Sequence, residues 1–256
     1  MLRIWDVNPH QGAGYFEVSD EKNQKFYTEK YGVTHPTNPG LKIPQMFDAA
    51  INKKIKAIWI IGEDIVQTDP NSAHVVEAMN SLELLVVAGN IYERNCKTCN
   101  CCITRTTFLE KDGTFTNTER RIQRVNAAVP PLPGTKPDGL IVTDMMQKFG
   151  FDQPSYDADL MLKEIADVVP FFKGVTRERL GKFGLQWPVQ EDGTDTKILH
   201  KETFKLGRGR LKNFDWKESS EIENNKKEYP LILTTSRVLQ HYNAATMTRR
   251  TKNINM

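Results

Sequence analysis

IKAIWIIGEDIVQTDPNSAHVVEAMNSLELLVV, residues 55 to 87, is the stretch on which the fold turns. Ile55 to Ile61 is apolar apart from Lys56 and is bounded by Lys54 and Gly62, which predicts a short buried parallel strand. Asn71 to Leu82 reads as a helix and Glu83 to Val87 as a second strand. Strand, loop, helix and strand at this spacing predict a βαβ unit in an open, Rossmann-like α/β sheet. Such sheets bind ligands at the C-terminal ends of their strands, where Gly62, Glu63 and Asp64 stand. Gly62 permits a tight turn, and the two carboxylates are expected to face the crevice and accept hydrogen bonds from a ribose or a guanine edge. A plain turn or a helix cap would use the same residues. GEDIVQTDP lacks the G-x-G-x-x-G spacing of a dinucleotide fingerprint.

Working outward, Glu21 to Tyr31 predicts a short helix with Phe26 and Tyr27 on its apolar side. Pro44 suits the first turn of a second helix, in which Met46, Phe47, Ala50 and Ile51 recur at helical spacing. Asp157 to Val168 is amphipathic, with Leu160, Leu162, Ile165 and Val168 apolar. Residues 190–197 are turn-rich and acidic. ESSEIENNKKE, residues 218–228, reads as a solvated linker and a domain boundary, and Tyr229 to Thr235 as a new strand. The expected domains are residues 1–150, a middle segment and linker at 151–227, and the start of a further domain at 228–256.

FLEKDGTFTNTERRIQRV, residues 108–125, has too little apolar periodicity for a core element. Lys111-Asp112-Gly113 is a turn signal. Thr116, Asn117, Thr118 and Glu119 then supply polar groups ahead of Arg120 and Arg121, either as a functional loop or as a wet turn leading into a basic helix or strand.

Four stretches together resemble the molybdopterin oxidoreductases, most closely the formate dehydrogenase catalytic subunit. They are GLKIPQMFDAAINKKIKAIWIIGEDIVQTDP (40–70), LEKDGTFTNTERRIQRV (109–125), FFKGVTRERLGKFGLQWP (171–188) and EYPLILTTSRVLQHYNAATMTRRT (228–251), in the family's order. The resemblance implies two molybdopterin guanine dinucleotides chelating Mo or W, and a β-barrel pterin-binding domain that begins near residue 228. It places cofactor contacts at Gly62, Glu63, Asp64, Lys111, Asn117, Asp138, Thr235, Ser236, Arg237, His241, Tyr242 and Asn243. Lys42 stands where similar formate dehydrogenases often carry an active-site Arg. Lys offers a point charge where Arg offers two parallel hydrogen bonds. An ordinary exposed Lys ahead of a helix is the alternative there, as a packed histidine is for His241 and a surface ion pair for Arg237.

The resemblance also implies formate as substrate, electron-transfer subunits as partners, and a [4Fe–4S] cluster and a metal-ligating Cys or selenocysteine lying upstream. On this reading the chain is an internal fragment, inactive alone. The alternatives are another oxidoreductase of the family, such as a nitrate reductase, or a non-catalytic nucleotide- or metal-binding module.

Lys plus Arg number 35 against 32 Asp plus Glu, a net charge of +3, which argues against a nucleic-acid partner. No apolar run reaches the length of about 18 residues that a membrane span needs, and the N-terminus lacks a signal-peptide core. A soluble chain is expected, from a parent that could be cytoplasmic or periplasmic.

The 4 cysteines, Cys96, Cys99, Cys101 and Cys102, crowd into NCKTCNCC. Their spacing suits Zn or Fe–S, although the adjacent pair Cys101 and Cys102 cannot easily bind one tetrahedral centre. The family resemblance lapses between Val87 and Thr106. With one choice of synonymous codons, a one-nucleotide shift over residues 88–105 yields QEIYMKGTAKLATVVLPG, which fits the family and supplies a third apolar strand. Two readings therefore stand for this segment, a displaced reading frame with no metal ligands and a thiolate metal site.

Overall fold

The computed structural model describes residues 9–89, 94–204, 206–234, 236–241, 243–246, 248–250 and 253. The chain divides into two compact units, residues 1–197 and 198–256.

In the first unit, helix α1 (Glu21–Tyr31) is capped by Asp20, whose carboxylate accepts the Lys22 N–H at 2.8 Å, and ends at Gly32 with φ 66°. Helix α2 (Ile43–Ile51) takes Pro44 in its first turn. Strand β1 (Ala57–Ile61), helices α3 (Ile65–Thr68) and α4 (Ser72–Asn80) and strand β2 (Leu84–Gly89) complete the βαβ unit, with Asn71 capping α4 through its side chain. Strand β3 (Cys101–Thr104) follows, and the sheet order is β1-β2-β3, all parallel.

In-register partners point to one face of a sheet. Ile58 pairs with Leu85, Ile60 with Val87, and Val87 with Cys102. That face meets Phe47 and Ala50 of α2 and Val75, Ala78 and Met79 of α4 in one apolar core. Two sequence expectations change here. β1 is only half-buried, because it pairs along a single edge, whereas the central β2 buries Leu85 and Val87 fully. The third strand is present in the sequence as written, since Cys101 to Thr104 pair with β2 despite their weak apolar signal.

Strands β4 (Gly113–Thr116) and β5 (Arg121–Val125) form an antiparallel hairpin, extended after helices α5 (Asp138–Lys148), α6 (Ala158–Val168) and α7 (Arg177–Leu180) by β6 (Leu185–Gln186). Residues 108–125 are thus not merely a wet turn, because Ile122 of β5 is fully buried in a second core with Leu162, Val168, Phe172, Leu180 and Val189. One inward side chain on a short strand suffices for this and leaves no periodicity to read. Asp157 caps α6 by accepting the N–H groups of Asp159 and Leu160, while Leu160 itself faces out.

In the second unit, residues 218–228, expected as a solvated linker, hold helix α8 (Ser220–Asn225). Residues 229–234 form no strand among the described residues. A strand requires a partner to receive its ladder of N–H and C=O groups. The described residues of this unit contain no sheet.

Leu85→Ala should lower unfolding stability by about 2–5 kcal/mol, as expected for emptying a packed core position. Leu84→Ala, one residue earlier on the exposed face, should cost less than about 1 kcal/mol. Urea denaturation of the two variants measures the contrast.

Candidate functional site

The C-terminal ends of the parallel strands carry the candidate site. The Gly62 N–H donates to Ala88 C=O at 2.8 Å and the Arg105 N–H to Gly89 C=O at 2.9 Å, which extends both ladders by one residue. Gly62 then turns with φ 70°, and a Cβ there would collide with the Arg105 guanidinium. The segment before α5 lies alongside β3, with Thr106 N–H donating to Lys136 C=O at 3.0 Å and Lys136 N–H to Thr104 C=O at 3.1 Å. This brings Asp138, at the first turn of α5, between two cations. Its Oδ1 lies 3.1 Å from Arg105 Nη1 and its Oδ2 lies 2.8 Å from Lys111 Nζ.

Glu110 fixes the turn that presents Lys111. Its carboxylate accepts the N–H groups of Thr107 at 2.6 Å and Leu132 at 3.0 Å. Those hydrogen bonds, Thr107 first, hold its pKa below the usual carboxylate range. A cavity of about 830 Å³ opens beside the cluster, with Lys111, Asp138 and Gly139 on one side and Tyr156, Met161 and Phe172 among its other walls.

Two cations share one carboxylate, so the cluster carries a surplus positive charge. Arg105 Nε and Thr106 Oγ1 are buried without a hydrogen-bond partner among the described residues. Surplus charge with unmatched donors at the strand ends suits an anionic, oxygen-rich group such as a pyrophosphate, whereas the cavity alongside is lined by Lys111 with the carboxylates Asp112, Asp138 and Glu164.

The other expected site residues are dispersed. Glu63 is exposed and accepts the Thr68 hydroxyl at 2.6 Å, whereas Asp64 is 2% exposed at the start of α3. The two carboxylates therefore do not share an open crevice, because the α3 turn sends one outward and one inward. Asn117 serves the β4–β5 turn: its Oδ1 accepts the N–H groups of Glu119 and Arg121, and its amide donates to Glu119 Oε1. Lys42 is exposed at the start of α2, its backbone N–H donating to Gln45 Oε1 at 2.9 Å, and no contact among the described residues links it to the cluster.

Ser236, Arg237, His241 and Asn243 belong to the second unit. The first two and Asn243 are exposed, while His241 Nδ1 lies 2.9 Å from Thr248 Oγ1. Thr235 and Tyr242 lie outside the described residues. Arg105 was missed by sequence reasoning. The only sequence signal for it is a charge directly after a third strand that CCIT does not advertise.

The chain is thus an α/β protein with two cations and one carboxylate clustered at the ends of its parallel strands. The family model for molybdopterin oxidoreductases matches residues 10–148, and the chain belongs to that family. It is 38% identical over 251 residues to the F420-dependent formate dehydrogenase subunit alpha of Methanocaldococcus jannaschii, covering 96% of this chain and 37% of that protein. It is 36% identical over 251 residues to the F420-dependent formate dehydrogenase 1 subunit alpha of Methanococcus maripaludis, covering 96% of this chain and 36% of the relative. The chain thus spans little more than a third of the length of these relatives. Acetylene hydratase from Pelobacter acetylenicus shares the fold, with a TM-score of 0.52 and 17% identity over 81% of this chain and 31% of that one.

Gly62→Ala should cost about 1–3 kcal/mol from its left-handed backbone alone, and more where the new methyl pushes Arg105 off Asp138. In an Arg105→Ala background only the backbone cost should remain. A double-mutant cycle by denaturant unfolding reads the coupling.

Proposed function

We propose that this chain forms part of the catalytic subunit of a formate dehydrogenase and helps to hold a bis(molybdopterin guanine dinucleotide) cofactor with Mo or W. The observation that carries this reading is the similarity, along 96% of the chain, to formate dehydrogenase alpha subunits. The overall reaction is HCOO⁻ → CO2 + H⁺ + 2e⁻, and the cofactor, when bound, accepts the two electrons.

The residues of this chain bind and orient. Arg105 and Lys111 supply cationic donors for a pyrophosphate, Asp138 holds both cations in place, and Gly62 leaves room for a close approach. Of the other expected contacts, exposed Glu63 offers a carboxylate to a ribose or guanine edge, while buried Asp64 and the turn residue Asn117 shape the backbone beside it. Thr235, Ser236, Arg237, His241, Tyr242 and Asn243 form a second contact run, in a C-terminal pterin-binding domain that begins near residue 228. Residues 1–150 form the Rossmann-like part, and 151–227 the middle segment and linker. Lys42 holds the formate carboxylate by charge. The whole protein would add a [4Fe–4S] cluster, a metal-ligating residue and electron-transfer subunits as partners.

The test uses the full-length gene product. Formate-dependent reduction of a viologen dye is expected, and Lys42→Ala should raise KM for formate by about tenfold, the loss of one charged contact. Nitrate-dependent oxidation of reduced dye, with no response to formate, would overturn the assignment in favour of a different reaction of the family.

A further inference from the structure

Cys96, in the 3-10 turn Arg94–Lys97, Cys99, just before β3, and Cys102, within β3, bring their sulfur atoms within 4.8 Å of one another. All three are free thiols. The spacing is C-x2-C-x2-C, and the strand resolves the difficulty of the adjacent pair. Successive residues of a strand face opposite sides of a sheet. Cys102 pairs with Val87, whose side chain belongs to the sheet–helix core, while Cys101 pairs with Val86 and faces away. Cys96 and Cys99 pack against that same core. Three thiols therefore converge on one side and the fourth is excluded.

The support beneath them is built rather than loose. Asn100 is tied to β2 twice, its Oδ1 accepting Leu85 N–H at 2.6 Å and its N–H donating to Leu85 C=O at 2.9 Å. Thr98 Oγ1 reaches Met79 Sδ at 3.6 Å, and Cys99 Sγ points at Cys96 C=O at 3.5 Å. Tetrahedral Zn–S bonds of about 2.3 Å set sulfurs about 3.8 Å apart, so the thiols would need to close by no more than about 1 Å to meet such a centre. A disulfide would instead require two of them to approach to about 2.05 Å.

We propose that Cys96, Cys99 and Cys102 bind a single thiophilic divalent cation of the zinc type, with a fourth position left to solvent. Three S–H groups release their protons to water as three metal–sulfur bonds form, with no change of oxidation state. Cys102 lies at the exposed end of the cluster, which leaves the fourth position accessible. The cation would tie the turn that holds Cys96 to β3, and so bear on the strand that leads into Arg105.

The test has two arms. Peptide mass mapping of the chain isolated from its source organism should return the masses of NCKTCNCC, whereas masses matching QEIYMKGTAKLATVVLPG would overturn the proposal outright. Co²⁺ titration of the reduced 256-residue chain should then give one equivalent of tight binding with a thiolate-to-cobalt charge-transfer band, displaced by Zn²⁺. The band should persist in Cys101→Ser and be lost in Cys99→Ser and Cys102→Ser, with far-UV circular dichroism showing each variant folded. Absence of the band in the folded parent chain, or its equal loss in folded Cys101→Ser, would overturn the proposal.

Discussion

The backbone ladder along both edges of β2 holds Gly62 and Arg105 at one end of the sheet. Parallel pairing makes this possible, because strands that run the same way deliver their C-terminal residues to the same side. The helices between them cover the face that carries Ile58, Ile60, Leu85 and Val87. Hydrophobic burial thus sets the register, and the register sets where the polar chemistry stands. A slip of one residue in β2 would turn Leu85 and Val87 outward and carry the strand ends with them.

The charges at those strand ends differ from the ion pairs elsewhere on the chain. Lys56–Glu83 is well exposed on both sides, with side-chain exposures of 71% and 68%, and such pairs contribute about 0–1 kcal/mol. Arg105, Lys111 and Asp138 are 15%, 21% and 24% exposed, so water screens them less and each loss of a partner costs more. With two cations to one carboxylate, the cluster is better satisfied with a further anion nearby. The packing of the sheet thus fixes where this charge and the buried donors of Arg105 and Thr106 stand.

Much of the fold was legible because its elements announce themselves locally. Pro44 opened α2, the runs Asn71–Leu82 and Asp157–Val168 yielded α4 and α6, and the Ile55–Ile61 run yielded β1. The hairpin strand β5 was not legible, since its single inward residue, Ile122, sets no period. Strand β3 was hidden for a different reason: its stability comes from a partner strand rather than from its own Cys-Cys-Ile-Thr composition. Of the candidate site, Gly62 followed from strand-end logic, whereas Lys111 and Asp138 came from resemblance alone. Their meeting with Arg105 is a tertiary event across 33 residues of sequence, between positions 105 and 138, which no local pattern encodes.

The most direct measurement is amide hydrogen exchange on the full-length protein, with its pterin cofactor loaded and without it. Cofactor bound at the strand ends should slow exchange at residues 62–64, 105–111 and 138–140 together, with the helix-covered centre of β2 unchanged. Loading that leaves those three segments unaltered, while protecting other parts of the protein, would contradict the placement of the cofactor on the Arg105–Asp138–Lys111 cluster.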